Sequence, residues 1–343
     1  MKALPSRSDV TPEIFAAEIR PAGQPVIMKG LVGEWPIVRA ARSGDEALVA
    51  AISANATPEP VMFAALPPEA GGLFHYTEDA SQLNFTRHEA PLAQFLHFLQ
   101  TENRLPQPRT LAAQGVQAGR FVPGFDHAHP LPLVPRGTTA RLWIGNRACV
   151  ATQGDDLENV ACVVAGRRRF TLFPPEQLAN LYLGPFELTP GGTPISMVHL
   201  TRPDLNRYPR FATALEAAVY ADLEPGDALY VPYQWYHHVQ AFETINVLVN
   251  YWWSPAREDL ASPWDAMLLG MLALRELPAD QRQAWRALFD HYVFKTEGDP
   301  GAHLPEAVRG VLGELTSRQI AELLADLRAN LDPASTQKRG PLK

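Results

Sequence analysis

Between residues 140 and 253 the chain passes through a close succession of short runs rich in Val, Ile and aromatics, and this restricts its fold more than any other feature. Arg141-Leu142-Trp143-Ile144-Gly145, Ala148-Cys149-Val150-Ala151, 159–166 and 169–175 follow one another with only turn residues between them. After a gap come 227–232, 237–242 and 245–253, of the same texture. Short strands at this spacing predict a β-sandwich or barrel. The 32 prolines are scattered rather than repeated, which suits many short elements joined by stiff turns.

The flanking sequence reads differently. Thr11-Pro12 is a helix N-cap followed by proline at the first helical position, and opens a short helix over 11–20. Pro25-Val26-Ile27-Met28 and Pro60-Val61-Met62-Phe63 read as strands. Over 91–99 the helical period aligns Leu92, Phe95, Leu96 and Leu99 and leaves His97 to solvent. Residues 102–139, rich in Pro, Gly and Gln, read as a long surface connection with local strand character. Asp126-His127-Ala128-His129 within it reads as a solvated loop in preference to a metal-ligand set. After Trp253, Ser262-Pro263 starts a helix carrying Trp264, Met267, Leu268, Met271 and Leu272 on one face. Trp285, Leu288, Phe289 and Tyr292 form a second stripe, and the capping box Thr316-x-x-Gln319 precedes a third. The expected organisation is a β-rich domain over 1–255, with its core at about 140–255, and a helical region over 256–343 that covers an open face or forms a homodimer contact.

Composition narrows the partners. The net charge of −7 argues against nucleic acid, and no run of about 18 apolar residues is present to cross a membrane. No apolar signal core follows Met1, so the expected location is cytoplasmic. Cys149 and Cys162 lie in apolar runs and read as core thiols.

The chemistry-bearing residues sit in the β region. A facial-triad metal site needs two histidines and a carboxylate on one face of an octahedron. Residues i and i+2 of a strand project from one face, so a His-x-Asp pair and a histidine from a facing strand meet that need. Here Gln153-Gly154-Asp155 stands in the place of the pair, and His237 in the place of the distal histidine. By spacing alone this is a weak signal.

Further segments add to it. The stretch from Gly226-Asp227-Ala228-Leu229-Tyr230-Val231-Pro232 through His237-His238-Val239 resembles the distal-histidine segment of the JmjC/cupin-like Fe(II)/2-oxoglutarate dioxygenases. Within that family the resemblance is to the bacterial cupin-like proteins and to the asparaginyl hydroxylase that inhibits hypoxia-inducible factor. Residues 159–175 with Leu181-Tyr182, the strand Asn250-Tyr251-Trp252, and 25–31 followed by Trp35-Pro36 are similar to further motifs of the family, in the same order over roughly 10–255. The resemblance implies a double-stranded β-helix (a jelly roll) with N-terminal α/β elements and a C-terminal helical extension. It implies Fe(II) and 2-oxoglutarate as cofactors, Asp155 and His237 as metal ligands, and Gln153 at a degenerate ligand position. Asn159 and Asn250 match polar residues lining the family's site. Arg168 takes the place of a lysine that pairs the distal carboxylate of 2-oxoglutarate; the alternative for Arg168 is a solvated strand cation. His238 is expected to pack or hydrogen-bond beside His237. Trp143, Tyr182, Trp235, Tyr236 and Trp252 are candidates for pocket walls as well as for core.

The departures are confined to the site. Gln153 offers an amide oxygen, a weaker Fe(II) donor than imidazole. Gly154 replaces a bulky residue, and Val150 stands where a hydroxyl side chain often helps hold the oxoacid. Three readings follow: an oxygenase with a Gln-Asp-His site, a catalytically silent cupin-like protein that keeps the pocket for a peptide or small molecule, and a site altered toward an oxygen-preferring ion such as Mn(II). The substrate, a protein or a small molecule, is not specified.

Overall fold

Apolar runs become strands, and the strands build two facing sheets. The computed structural model describes residues 1–331. In chain order the strands are β1 (Lys2–Ala3), β2 (Ser6–Arg7), β3 (Val26–Met28), β4 (Pro60–Leu66), β5 (Leu73–Phe74), β6 (Thr86–Pro91) and β7 (Thr110–Gln117). They continue with β8 (Ala140–Gly145), β9 (Ala148–Gln153), β10 (Glu158–Ala165), β11 (Arg168–Phe173), β12 (Val219–Leu223), β13 (Ala228–Val231), β14 (Tyr236–Ala241) and β15 (Asn246–Trp253). A nine-stranded sheet has the order β2-β3-β13-β10-β15-β8-β7-β4-β6, and a six-stranded sheet the order β1-β12-β11-β14-β9-β5. From β8 to β11 and again from β12 to β15, sequential strands alternate between the sheets, as in a jelly roll.

The side-chain period of two sorts the central strands into two cores. On β10 and β15, Ala161, Val163 and Leu248 face the six-stranded sheet and meet Phe170, Leu172 and Val239. The intervening Val160, Cys162, Val164, Val247 and Val249 pack outward beneath helices Pro36–Ser43, Asp45–Ser53 and Leu92–Glu102. Strands buried on both faces carry unbroken apolar runs, which is why they are conspicuous in the sequence. Leu92, Phe95, Leu96 and Leu99 are fully buried, and His97 is exposed. Cys162 is buried, Cys149 is partly so, and both are free thiols.

Two expectations fail. Residues 102–139 are not a surface connection throughout: their local strand character is β7, which lies inside the nine-stranded sheet between β4 and β8. Nor is the Asp-His-Ala-His segment a solvated loop. It forms helix Phe125–Ala128, and buried His129 ties it down: Nδ1 bonds the Phe125 carbonyl at 2.9 Å, while Nε2 accepts the Ile37 N–H at 3.3 Å. Asp126 accepts from the Ala140 N–H at 3.2 Å.

The chain divides into two compact units, Met1–Ser254 and Pro255–Lys343. In the second, helix Pro263–Leu274 begins at Ser262, whose hydroxyl accepts the Asp265 N–H. Helix Ala279–Tyr292 follows. Before helix Ser317–Leu331 the Thr316 N–H donates to Gln319 Oε1 at 2.9 Å and the Gln319 N–H donates back to Thr316 Oγ1 at 3.3 Å, a reciprocal capping box. No residue of Pro263–Leu274 is buried, and Leu272 is 82% exposed. No helix of the described residues is long and apolar enough to cross a membrane.

Candidate metal and cosubstrate site

The interior between the sheets is apolar except along one line of polar side chains. β14 and β9 pair antiparallel with His237 opposite Gln153, and β11 places Leu172 opposite His237 and Arg168 opposite Ala241. On the facing sheet, Asn159 of β10 lies opposite Trp252 of β15, and Ala161 lies opposite Asn250. The alternation that sends Ala161 and Leu248 inward therefore sends Asn159, Asn250 and Trp252 inward as well.

At one end stand Asp155 and His237. Asp155 follows β9, and its loop is fixed by its carbonyl, which accepts the Gln234 N–H at 3.0 Å. Gln234 holds the left-handed turn (φ 59°) that leads into β14. His237 is 5% exposed, and its Nδ1 lies 3.1 Å from the Trp235 carbonyl. A carbonyl only accepts, so Nδ1 carries the proton and Nε2 presents its lone pair. That Nε2 lies 3.7 Å from Asp155 Oδ2. Oδ2 also receives the Trp252 indole N–H at 3.1 Å and the Asn159 amide at a longer 3.5 Å. An imidazole fixed in its ligating tautomer beside an oriented carboxylate is the outer-shell arrangement that tunes metal ligands.

From Asp155 the line continues inward. Asn250 donates to Asn159 Oδ1 at 3.5 Å, and the Trp143 indole N–H donates to Asn250 Oδ1 at 2.7 Å. The Trp143 carbonyl accepts from Arg168 Nη2 at 3.4 Å. Arg168 thus stands on the same inner face as His237, four residues along β11, about 13 Å away along the strand. It is 8% exposed, has no carboxylate within 4 Å among the described residues, and leaves Nε without a hydrogen-bond partner. Burial pulls the guanidinium down to about 10. A buried cation with unused donors is costly unless an anion joins it. The solvated-cation alternative is thus incompatible with its surroundings.

Gln153 is brought beside His237 on the neighbouring strand, yet its side chain makes no hydrogen bond with the described residues, and its amide oxygen lies 3.8 Å from the Cβ position at Gly191. Among the described residues no three His, Cys, Asp or Glu side chains come together as a ligand set. The donors present, one carboxylate and one free imidazole nitrogen, fit a divalent metal with two protein ligands.

Two features escaped the sequence reading. Gly154 leaves room for an aromatic ring supplied from elsewhere: a Cβ there would come within 2.9 Å of Tyr236 Cε1. The missing bulky residue is replaced by Tyr236 of β14. The hydroxyl absent at Val150 has a neighbour at Thr152, whose buried Oγ1 has no hydrogen-bond partner. His238 is buried with Nδ1 unpartnered and packs without bonding; burial, then the neighbouring His237, lowers it to about 4, so it is neutral. Trp143 and Trp252 belong to the site, whereas Trp235 is core and Tyr182 packs against Tyr208.

Comparison with known proteins shows the family. Over 158 residues the chain is 34% identical to human HSPB1-associated protein 1, covering 43% of this chain and 31% of that protein. It is 33% identical over 117 residues to the lysine-specific demethylase JMJ31 of Arabidopsis thaliana, covering 34% of this chain and 21% of that protein. It is 34% identical over 102 residues to the tRNA wybutosine-synthesizing protein 5 of Gallus gallus, covering 30% of this chain and 29% of that protein. The chain therefore spans less than a third of the length of each of these relatives. The cupin-like domain matches residues 11–259, which takes in every strand from β3 to β15 and every residue of the polar line. The chain belongs to the cupin-like domain family.

Proposed function

We propose that the protein is an Fe(II)/2-oxoglutarate-dependent oxygenase that works with two protein metal ligands, Asp155 and His237, and with Gln153 at the third position. The observation that carries this reading is Arg168, a buried guanidinium without a carboxylate partner among the described residues, at the far end of the polar line from Asp155 and His237. A dicarboxylate answers it: one carboxylate takes the guanidinium fork and the other end reaches the metal ligands. Asn159, Asn250 and Trp143 orient the walls between, and Trp252 holds Asp155 in its ligating pose. When bound, Fe(II) and 2-oxoglutarate supply oxidative decarboxylation of the oxoacid coupled to hydroxylation of a C–H bond. His237 keeps its proton on Nδ1 throughout, and the apolar residues between the sheets exclude water from the reacting end.

A second reading, a non-catalytic binding protein, draws on the absence of a third His, Cys, Asp or Glu ligand among the described residues. Formation of succinate from 2-oxoglutarate with added Fe(II) separates the two. The oxygenase forms it, and Asp155→Ala and His237→Ala abolish it; a wild-type protein that forms none while still binding 2-oxoglutarate is the binding protein. The relatives' names point to a protein lysine in one case and a tRNA in another, and the fold does not choose between them. The exposed apolar side chains of helix Pro263–Leu274 support a homodimer, which light scattering at micromolar concentration tests: a monomeric mass removes it.

A further inference from the structure

We infer that the substrate is a small anionic molecule or side chain, bound in a cavity that abuts the metal end of the site. The inference rests on the oxygenase reading only in calling the ligand a substrate. The cavity has a volume of about 340 Å³ and is walled by Phe85, Trp143 and Trp252, with Arg87 and Arg141 at its sides. That volume is at the low end of small-molecule sites, too small for an extended macromolecular surface. Trp143 and Trp252 meet edge to face at 5.8 Å, and each also serves the polar line through its indole N–H. Gly191, another wall residue, lies beside the Gln153 amide oxygen. A ligand seated here is therefore separated from Asp155 and Gln153 by single contacts.

The charge of the cavity is one-sided. Arg87 donates Nη2 to the Pro190 carbonyl at 3.1 Å, and Arg141 donates Nη1 to the Gly115 carbonyl at 3.2 Å. Neither has an ion-pair partner among the described residues, and no carboxylate lines the cavity. Each guanidinium carries five N–H donors, so a single carbonyl leaves most of each fork available. Arg141 also lies over the Trp252 ring at 5.8 Å, which holds it against the cavity wall. Two unpaired cations facing one aromatic cavity, in a chain of net charge −7, select an anionic group on a flat apolar body. Carboxylate and phosphate share this chemistry.

Calorimetric titration of the full chain without metal tests it, with phenylacetate, phenyl phosphate and the neutral 2-phenylacetamide as probes. The expected result is that at least one anion binds about tenfold or more tightly than the amide, with Arg87→Gln and Arg141→Gln each losing about tenfold. The tighter of the two anions identifies carboxylate or phosphate. Because Arg87 is exposed on β6, its variant folds whatever Arg141→Gln does. Equal binding of the amide, loss in Arg168→Met but not in the other two, or no binding of either anion at millimolar concentration overturns the inference. Since no metal is present, failure of the oxygenase reading leaves this result unaffected.

Discussion

Trp252 donates its indole N–H to Asp155 Oδ2 at 3.1 Å, so one side chain both orients the carboxylate and walls the neighbouring cavity. Trp252→Phe keeps the ring and removes the donor. The expected outcome is a loss of about 10- to 100-fold in Fe(II) affinity, measured anaerobically, with little change in thermal stability.

Arg168 gives opposite effects on stability and on binding. Arg168→Met removes a buried charge that has no carboxylate partner among the described residues, so the ligand-free variant is as stable as wild type or more so. The same change weakens 2-oxoglutarate binding by at least about tenfold, as read by calorimetry. Marked destabilisation of the ligand-free variant would mean that the guanidinium serves the fold.

Gly154 and Tyr236 share one space. Gly154→Ala brings a methyl group within 2.9 Å of the Tyr236 ring and is expected to cost roughly 1–3 kcal/mol in denaturant unfolding. In a Tyr236→Ala background the added methyl should cost far less, and the difference between the two backgrounds measures the clash.

His129 predicts acid sensitivity. Burial lowers it below the usual 6.5, since protonation would also abolish the bond that Nε2 accepts from Ile37. Its folded pKa lies below the unfolded value, so the unfolded state binds the proton first. The contribution of His129 to stability is therefore constant above about pH 6.5 and falls as the pH drops below it. Urea midpoints at about pH 7.5 and about pH 5.5 should differ less in His129→Gln than in wild type.

How far the sequence reaches follows from burial. β8, β10, β13 and β15 are covered on both faces and stand out as apolar runs. β7 did not, because Thr110–Gln117 is built largely from small and polar residues, with Gly115 in left-handed backbone at its bulge. Its place in the sheet is set by β4 and β8, not by its own composition. What marks Asp155, His237, Asn159, Arg168 and Asn250 in the sequence is the resemblance to family motifs, since the spacing of Gln153, Asp155 and His237 alone is a weak signal. The pairing of Gly154 with Tyr236 was not legible, since it joins residues 82 positions apart (236 − 154) across two strands. Arg87 and Arg141 carry no local pattern, and only the sheet order brings them to one cavity.

The central claim is that Asp155, His237 and Arg168 together hold a metal and an oxoacid although a glutamine stands where a histidine would. Anaerobic titration with Fe(II) and 2-oxoglutarate, followed by visible absorption, tests it most directly. The account predicts a weak metal-to-ligand charge-transfer band that is lost in Asp155→Ala, His237→Ala and Arg168→Met, and that strengthens in Gln153→His. A flat spectrum from the wild-type protein at millimolar iron, with a band only in Gln153→His, would contradict it.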